Sequence, residues 1–302
     1  MLPAPETASS AQQVDATPRA ARSLREAQAF CADLTRRHYE NFPVASWLVP
    51  RELRPAVQSI YAFARIADDF ADEPAHEGQR LEKLEEWGGL LERCFAGEAF
   101  HPVFVALHES IRCHELPAQP FRDLLAAFRL DVTCHRHADF DSLLRYCHLS
   151  ANPVGRLILH LFGHREPELL SLSDDFCTAL QLTNHWQDVA IDLAKDRIYL
   201  PERDRARWGV GEDDLRAGRV SEGFRGLMAE QIARVEERFT AARPLCDEVG
   251  GRLRLELRLT WLGGRRVLER IESAGYDVFR RRPKLGPRDA FLVLTRGVLW
   301  RS

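Results

Sequence analysis

The sequence predicts an all-α protein built as one bundle of ten or more helices. Three observations carry that prediction. Apolar residues recur at intervals of three and four in segment after segment, the spacing of one buried helix face. No segment sustains the alternation of apolar and polar residues that marks a half-buried strand. Prolines break, open or punctuate the helical patterns, among them Pro43, Pro50, Pro74, Pro102, Pro117, Pro153, Pro201 and Pro283.

Residues 1–22 are rich in Ala, Ser, Pro and Gln and predict a disordered lead-in. The pattern turns helical from Ser23 to His38, breaks at Pro43 and resumes at Pro50 with Leu53, Val57, Ile60, Tyr61 and Ala64 along one side. Leu81, Leu84, Trp87, Leu91 and Cys94 form the stripe of a helix over 80–95. Further helices are predicted from Pro102 to about Cys113, over 121–135, from Asp139 to His148 with Asp139 or Asp141 as cap, and from Asn152-Pro153 to about Phe162. Ser173 is read as the cap of a long helix. Short helices follow Pro201, then two long ones over 221–246 and 250–274, where Gly263-Gly264 permits close packing or a kink. A last apolar segment covers 289–300. No interior linker or repeat divides 23–302, which reads as a single domain.

The bulk numbers exclude several classes. Net charge is −3 over 302 residues, with no basic excess for nucleic acid. Seven scattered cysteines without a CxxC pair fit a reducing compartment better than a disulfide framework. No apolar run is long enough to span a bilayer, and no signal pattern opens the chain. A cytoplasmic location is expected.

The chemistry concentrates in two stretches. In Gln181–Pro201, Gln181, Asn184, Asp188, Asp192 and Lys195 fall at offsets 0, 3, 7, 11 and 14, one face of a helix. Leu182, Trp186, Val189 and Leu193 take the opposite face. Upstream, YAFARIADDFAD (61–72) sets Asp68 and Asp72 one turn apart, with Asp69 beside them. A solvated helix end would explain the first cluster alone, although acids at a helix C-terminus oppose the macrodipole. The second face is harder to explain that way, because burying ordered amides and carboxylates without partners costs several kcal/mol. Two such helices facing each other would form a site for a hard divalent cation and a diphosphate.

These stretches resemble the paired aspartate-rich signatures of the squalene/phytoene synthase family. YCHLSANPVGRLIL (146–159), LVPRELRPAVQSIYAFAR (48–65) and AGYDVFRRRPKL (274–285) are similar to further segments of that family, in the same order. The resemblance covers about 35–300. It implies the isoprenoid synthase fold around a central cavity, Mg²⁺ dependence and a polyprenyl diphosphate substrate. Asp68, Asp72, Asp188 and Asp192 would hold Mg²⁺, with Asn184 and Gln181 orienting ligands or waters and Asp69 in support. Arg54, Arg65, Arg197 and Tyr276 would contact the diphosphate, and Phe42, Phe63, Phe162 and Tyr146 would line the apolar cavity for the carbocation.

Within the family, ENFPVAS (40–46), SANPVGRL (150–157) and NHWQDVAIDL (184–193) look most like the hydroxysqualene synthase (HpnC-type) branch of bacterial hopanoid biosynthesis. The implied reaction converts presqualene diphosphate and water to hydroxysqualene and diphosphate. The implied neighbours are a presqualene diphosphate synthase and an oxidoreductase. Gln187 stands where relatives often carry Arg, and Ile191 where they carry an acid, so a charge of each sign is missing beside Asp188 and Asp192. Two alternatives stay open: head-to-head condensation of farnesyl diphosphate, and a non-catalytic scaffold of the same fold. The runs Arg265-Arg266 and Arg280-Arg281-Arg282, with the apolar 289–300 segment, pose peripheral contact with anionic lipid against a plain solvated surface.

Overall fold

The computed structural model describes residues 23–37, 48–280 and 282–300; residues 1–22, Phe42 and the rest of ENFPVAS lie outside this set. All regular structure in the described residues is helical. The one bridge between extended residues joins Arg136 and Ile198. In chain order the helices are α1 (Leu24–Arg37), α2 (Arg54–Asp72), a 3₁₀ turn (Pro74–His76), α3 (Arg80–Phe95), α4 (Pro102–His114), α5 (Gln119–Thr133), α6 (Phe140–Ser150), α7 (Asn152–Leu161) and α8 (Pro167–Gln187). They continue as α9 (Val189–Ala194), α10 (Glu202–Arg207), α11 (Glu212–Arg216), α12 (Glu222–Ala242), α13 (Leu245–Glu248), α14 (Gly251–Ser273) and α15 (Pro287–Leu299).

The local chemistry explains most boundaries. Pro55 sits in the first turn of α2, where its missing N–H costs nothing. The helix stops at Glu73, which is extended at φ −72 and ψ 137 because Pro74 follows it. Asp139 caps α6: its carboxylate accepts the Ser142 N–H at 2.9 Å, and the Ser142 hydroxyl accepts the Asp139 N–H at 3.2 Å.

Several expectations are corrected. The second helix opens at Arg54 and not at Pro50. Ser173 is a buried residue inside α8, which starts at Pro167. The predicted 221–246 helix is two helices, because Pro244 cannot continue α12. The long acidic helix is interrupted: α8 ends at Gln187, Asp188 sits at φ −106 and ψ 13, and α9 resumes at Val189. The hydrogen bonds Asp188 N–H to Asn184 O and Asp192 N–H to Asp188 O, both 2.9 Å, run through the break. The polar face is therefore bent but continuous.

The interior consists of two apolar clusters. One is built mainly from α1–α4 and the first part of α5, around Phe63, Trp87, Phe104 and Phe121. The other is built mainly from α6 and α8–α14, around Trp186, Phe224, Phe239 and Trp261. Helix α7 joins them, giving Leu157 and Leu161 to the first and Leu159 to the second. That seam is close: a Cβ on Gly155 would lie 2.4 Å from Ser173 Oγ and 2.5 Å from Cys177 Sγ, so a larger residue there would force those side chains to move. Gly264 plays the close-packing part against Phe239 within an unbroken α14.

Candidate active site

Each core carries one acidic motif. Asp68, Asp69 and Asp72 lie in the last turns of α2, on the first cluster. Asp188 and Asp192 lie at and after the end of α8, on the second. Lys195 and Arg197, just beyond α9, close the gap. Arg197 donates to both oxygens of Asp72 at 2.5 and 3.2 Å, and Lys195 Nζ approaches Asp72 Oδ2 at 2.8 Å. On α2 itself, Arg65 pairs with Asp68 at 3.2 Å and Asp69 at 2.5 Å, while its Nε is buried without a partner.

The electrostatics follow from crowding. Asp68 keeps 41% of its side chain accessible but is surrounded by protein; this dehydration, then the charge of Asp72, pushes its pKa up to about 6. Asp192 is pushed up to about 7 by burial and then by Asp188. Burial acts on Asp72 too, but the hydrogen bonds of Arg197 and Lys195 outweigh it and hold this carboxyl below its usual value. Asp192 senses Asp72 across the seam, so the two motifs share one electrostatic environment.

A further carboxyl completes the group. Asp131, near the end of α5, accepts the Tyr146 hydroxyl at 2.7 Å, and its backbone carbonyl accepts from Arg197 at 3.3 Å. Burial pushes Asp131 up to about 7. The Tyr146 ring packs among His137, His185 and Tyr199, and His185 stacks on Tyr199 with centroids 3.6 Å apart. A cavity of about 10 Å³ lies among His185, Asp192, Arg197 and Tyr199. That is close to the least room one water needs. Gln181 sits one turn before His185, amide to ring at 3.3 Å, and Asn184 is exposed beside it.

Asp68, Asp72, Asp188, Asp192, Arg65, Arg197, Tyr146, Gln181 and Asn184 thus fall along this seam. Arg54 does not. It lies at the opposite end of α2, 14 residues before Asp68 and so ~20 Å away along the helix, where its Nε donates to Val49 O. Tyr276 follows α14 at φ 65 and packs, partly buried, on the second core. Phe63 is a fully buried core residue, packed with Trp87, Phe104 and Phe121. Phe162 packs against both cores.

Sequence reasoning passed over Asp131, which has no second acid three or four residues away on its helix to flag it. It also read Arg282 as part of a surface run. Arg282 in fact pairs with Asp188 through both carboxylate oxygens, so the cation missing at Gln187 arrives from the C-terminal segment. The absent acid at 191 has a plain consequence: Ile191 is 47% exposed and faces away from the buried side of the motif.

The donor set is all oxygen and carries more carboxyls than its own cations neutralise, which fits a hard divalent cation such as Mg²⁺. As they stand, Asp68 is held by Arg65, Asp72 by Lys195 and Arg197, and Asp188 by Arg282. Among the described residues no three metal-binding side chains converge as a ready-made ligand set.

Comparison with known proteins agrees with this geometry. The squalene/phytoene synthase family model matches residues 35–289. Phytoene synthase of Arthrospira platensis is 34% identical over 265 residues, covering 83% of this chain and 86% of that protein. The crystal structure of squalene synthase HpnC from Alicyclobacillus acidocaldarius matches with a TM-score of 0.80 at 43% identity, over 86% of this chain and 97% of that one. A dehydrosqualene synthase solved with a ligand shares the fold, with a TM-score of 0.82 at 22% identity over 92% and 97% of the two chains.

Proposed function

The chain belongs to the squalene/phytoene synthase family of isoprenoid synthases, and from that membership we propose that it converts presqualene diphosphate and water to hydroxysqualene and diphosphate. The observation that carries the reading is the 43% identity to squalene synthase HpnC along nearly the whole of that chain. The NHWQDVAIDL motif and the one-water cavity beside His185 and Asp192 support it. Residues 23–302 are read as one catalytic unit.

Asp68, Asp72, Asp188 and Asp192 would hold Mg²⁺, which neutralises charge on the leaving diphosphate. Arg65 and Arg197, with Lys195, bind and orient the diphosphate; the unpartnered Nε of Arg65 is a donor left over for an anionic oxygen. As the C–O bond breaks, its electron pair leaves with diphosphate and the cation remains among Tyr146, Tyr199 and the apolar walls. Gln181 and Asn184 orient polar ligands at the rim. One water then forms the new C–O bond and gives up a proton, for which the His185–Asp192 side of the cavity offers acceptors. Restricting water to one position separates this outcome from indiscriminate hydrolysis.

A second reading, head-to-head condensation of farnesyl diphosphate, is favoured by the 34% identity to a phytoene synthase. The test is incubation with Mg²⁺ and each diphosphate separately, with mass spectrometry of the products. Hydroxysqualene from presqualene diphosphate, and no turnover of farnesyl diphosphate alone, is the expected result. Turnover of farnesyl diphosphate to a C30 product would replace the first reading with the second. Failure on both would favour the non-catalytic scaffold, which the four intact aspartates argue against.

Among the described residues no helix is long and apolar enough to cross a membrane. We further read the protein as cytoplasmic, with α15 touching the membrane surface and handing its product on to an oxidoreductase.

A further inference from the structure

The partner of Asp188 comes from far along the chain. Arg282 Nη2 donates to Oδ2 at 2.9 Å and Nε donates to Oδ1, so one guanidinium takes both carboxylate oxygens. The residue before Asp188 grips the same segment. Gln187 is buried, its amide nitrogen donates to the Pro283 carbonyl, and its Oε1 accepts from Arg282 at 3.4 Å. Beyond Pro283, Asp289 is 2% exposed and fixed to α14 by Arg266 at 2.7 Å and Arg270 at 2.8 Å. Its Oδ2 also accepts the Gly286 N–H at 2.9 Å. Residues 282–289 therefore form a strap, fastened at one end to the second acidic motif and at the other to α14.

We infer that Arg282 is a positioning residue for Asp188, a resident counter-ion that metal loading displaces, so that docking of the strap and binding of the metal oppose each other. The inference rests on the metal–diphosphate reading of the site. A divalent cation approaching Asp188 meets a carboxylate whose two oxygens already face a guanidinium. Like charges at that separation repel, and the side chains, 38% and 21% exposed, are only partly screened. Ion pairs hold oxygens of Asp72 and Asp188 that a metal would use. Asp72 is held by Lys195 and Arg197, which follow the second motif, but Asp188 is held from the C-terminal segment. Exchange at Asp188 therefore involves the strap and α15. Linkage is reciprocal: if the strap weakens the metal, the metal loosens the strap by the same factor.

The test uses the full chain and Mn²⁺ alone, without diphosphate, followed by electron paramagnetic resonance of the free ion. Arg282→Ala is expected to bind Mn²⁺ about three- to tenfold more tightly than wild type, the range for losing one partly screened competing pair. Arg282→Lys, which keeps charge but loses the two-point contact, should fall between. Hydrogen exchange gives the reciprocal measurement: Mn²⁺ should speed exchange of residues 282–299 in the wild type, and in Gln187→Leu that segment should exchange fast with or without metal. Equal or weaker Mn²⁺ binding by Arg282→Ala, with helical content preserved by circular dichroism, overturns the inference. So does exchange over 282–299 that ignores Mn²⁺ in the wild type. Failure of every variant and the wild type to bind Mn²⁺ would instead overturn the metal-site reading beneath it.

Discussion

Asp131 is the residue whose environment says most about the site. Burial lifts its carboxyl up to about 7, against the lowering effect of the Tyr146 hydroxyl and Arg197. A carboxyl raised on folding binds its proton more tightly in the native state, so its stabilising effect is complete below about pH 4 and is lost as pH rises to about 7. Half-buried His101 and buried His137, both lowered to about 4, and His185, lowered to about 3, act in the opposite sense: their contribution grows as pH rises towards about 6.5. The whole-protein curve mixes these, so the informative quantity is a difference. Asp131→Asn should leave the metal-free protein little changed at pH 4 and more stable than wild type at pH 8, by on the order of 2 kcal/mol. Urea melts at the two pH values check it, and an unchanged difference would refute the assignment. Asp131 was illegible in the sequence because no acid lies three or four residues from it on its helix to make a motif. Arg282 was misread for a related reason: nothing within an arginine run marks Arg282 as the partner of Asp188.

Among the elements, α8 depends on how closely α7 can approach. Replacing Gly155 by alanine places a methyl within 2.5 Å of Ser173 Oγ and Cys177 Sγ, so those side chains must rotate or the helices must part. A cost of about 1–3 kcal/mol is expected, with activity falling as well, because α8 carries Gln181, Asn184 and the entry to Asp188. Thermal melts of Gly155→Ala beside those of the triple variant with Ser173→Ala and Cys177→Ala, and of the Ser173→Ala/Cys177→Ala control, check the mechanism. Destabilisation by Gly155→Ala that shrinks in the background of the two smaller side chains supports the steric account, and an unchanged destabilisation contradicts it. The face Gln181–Asn184–Asp188–Asp192 was legible at this scale from periodicity alone. The break at Asp188 was not, since no proline or glycine marks it. The break coincides with the place where Gln187 and Asp188 both take partners from the C-terminal strap.

For the whole molecule, exposed apolar side chains gather on the last helix. Phe291, Leu294 and Val298 are 70, 50 and 70% exposed along one face of α15, and Lys284 and Arg288 are exposed nearby. Phe291→Ser with Leu294→Ser should lower binding to phosphatidylglycerol-containing vesicles about tenfold or more. Co-sedimentation measures it, and equal binding by both proteins would exclude α15 as the contact. The arginine runs that first drew attention to this surface are largely spoken for: Arg265 pairs with Glu236, Arg266 with Asp289 and Arg282 with Asp188. By itself the sequence determined the helical class, the two acidic motifs and the family, because helix periodicity and acid spacing are local properties, written within a turn or two of chain. Tertiary structure alone decided that the motifs meet at the seam of two cores, that Asp131 joins them, that Arg54 does not, and that Arg282 replaces the cation missing at Gln187. Those outcomes depend on which surfaces pack together, and spacing along the chain carries no record of charges brought together from 60 to 125 residues apart.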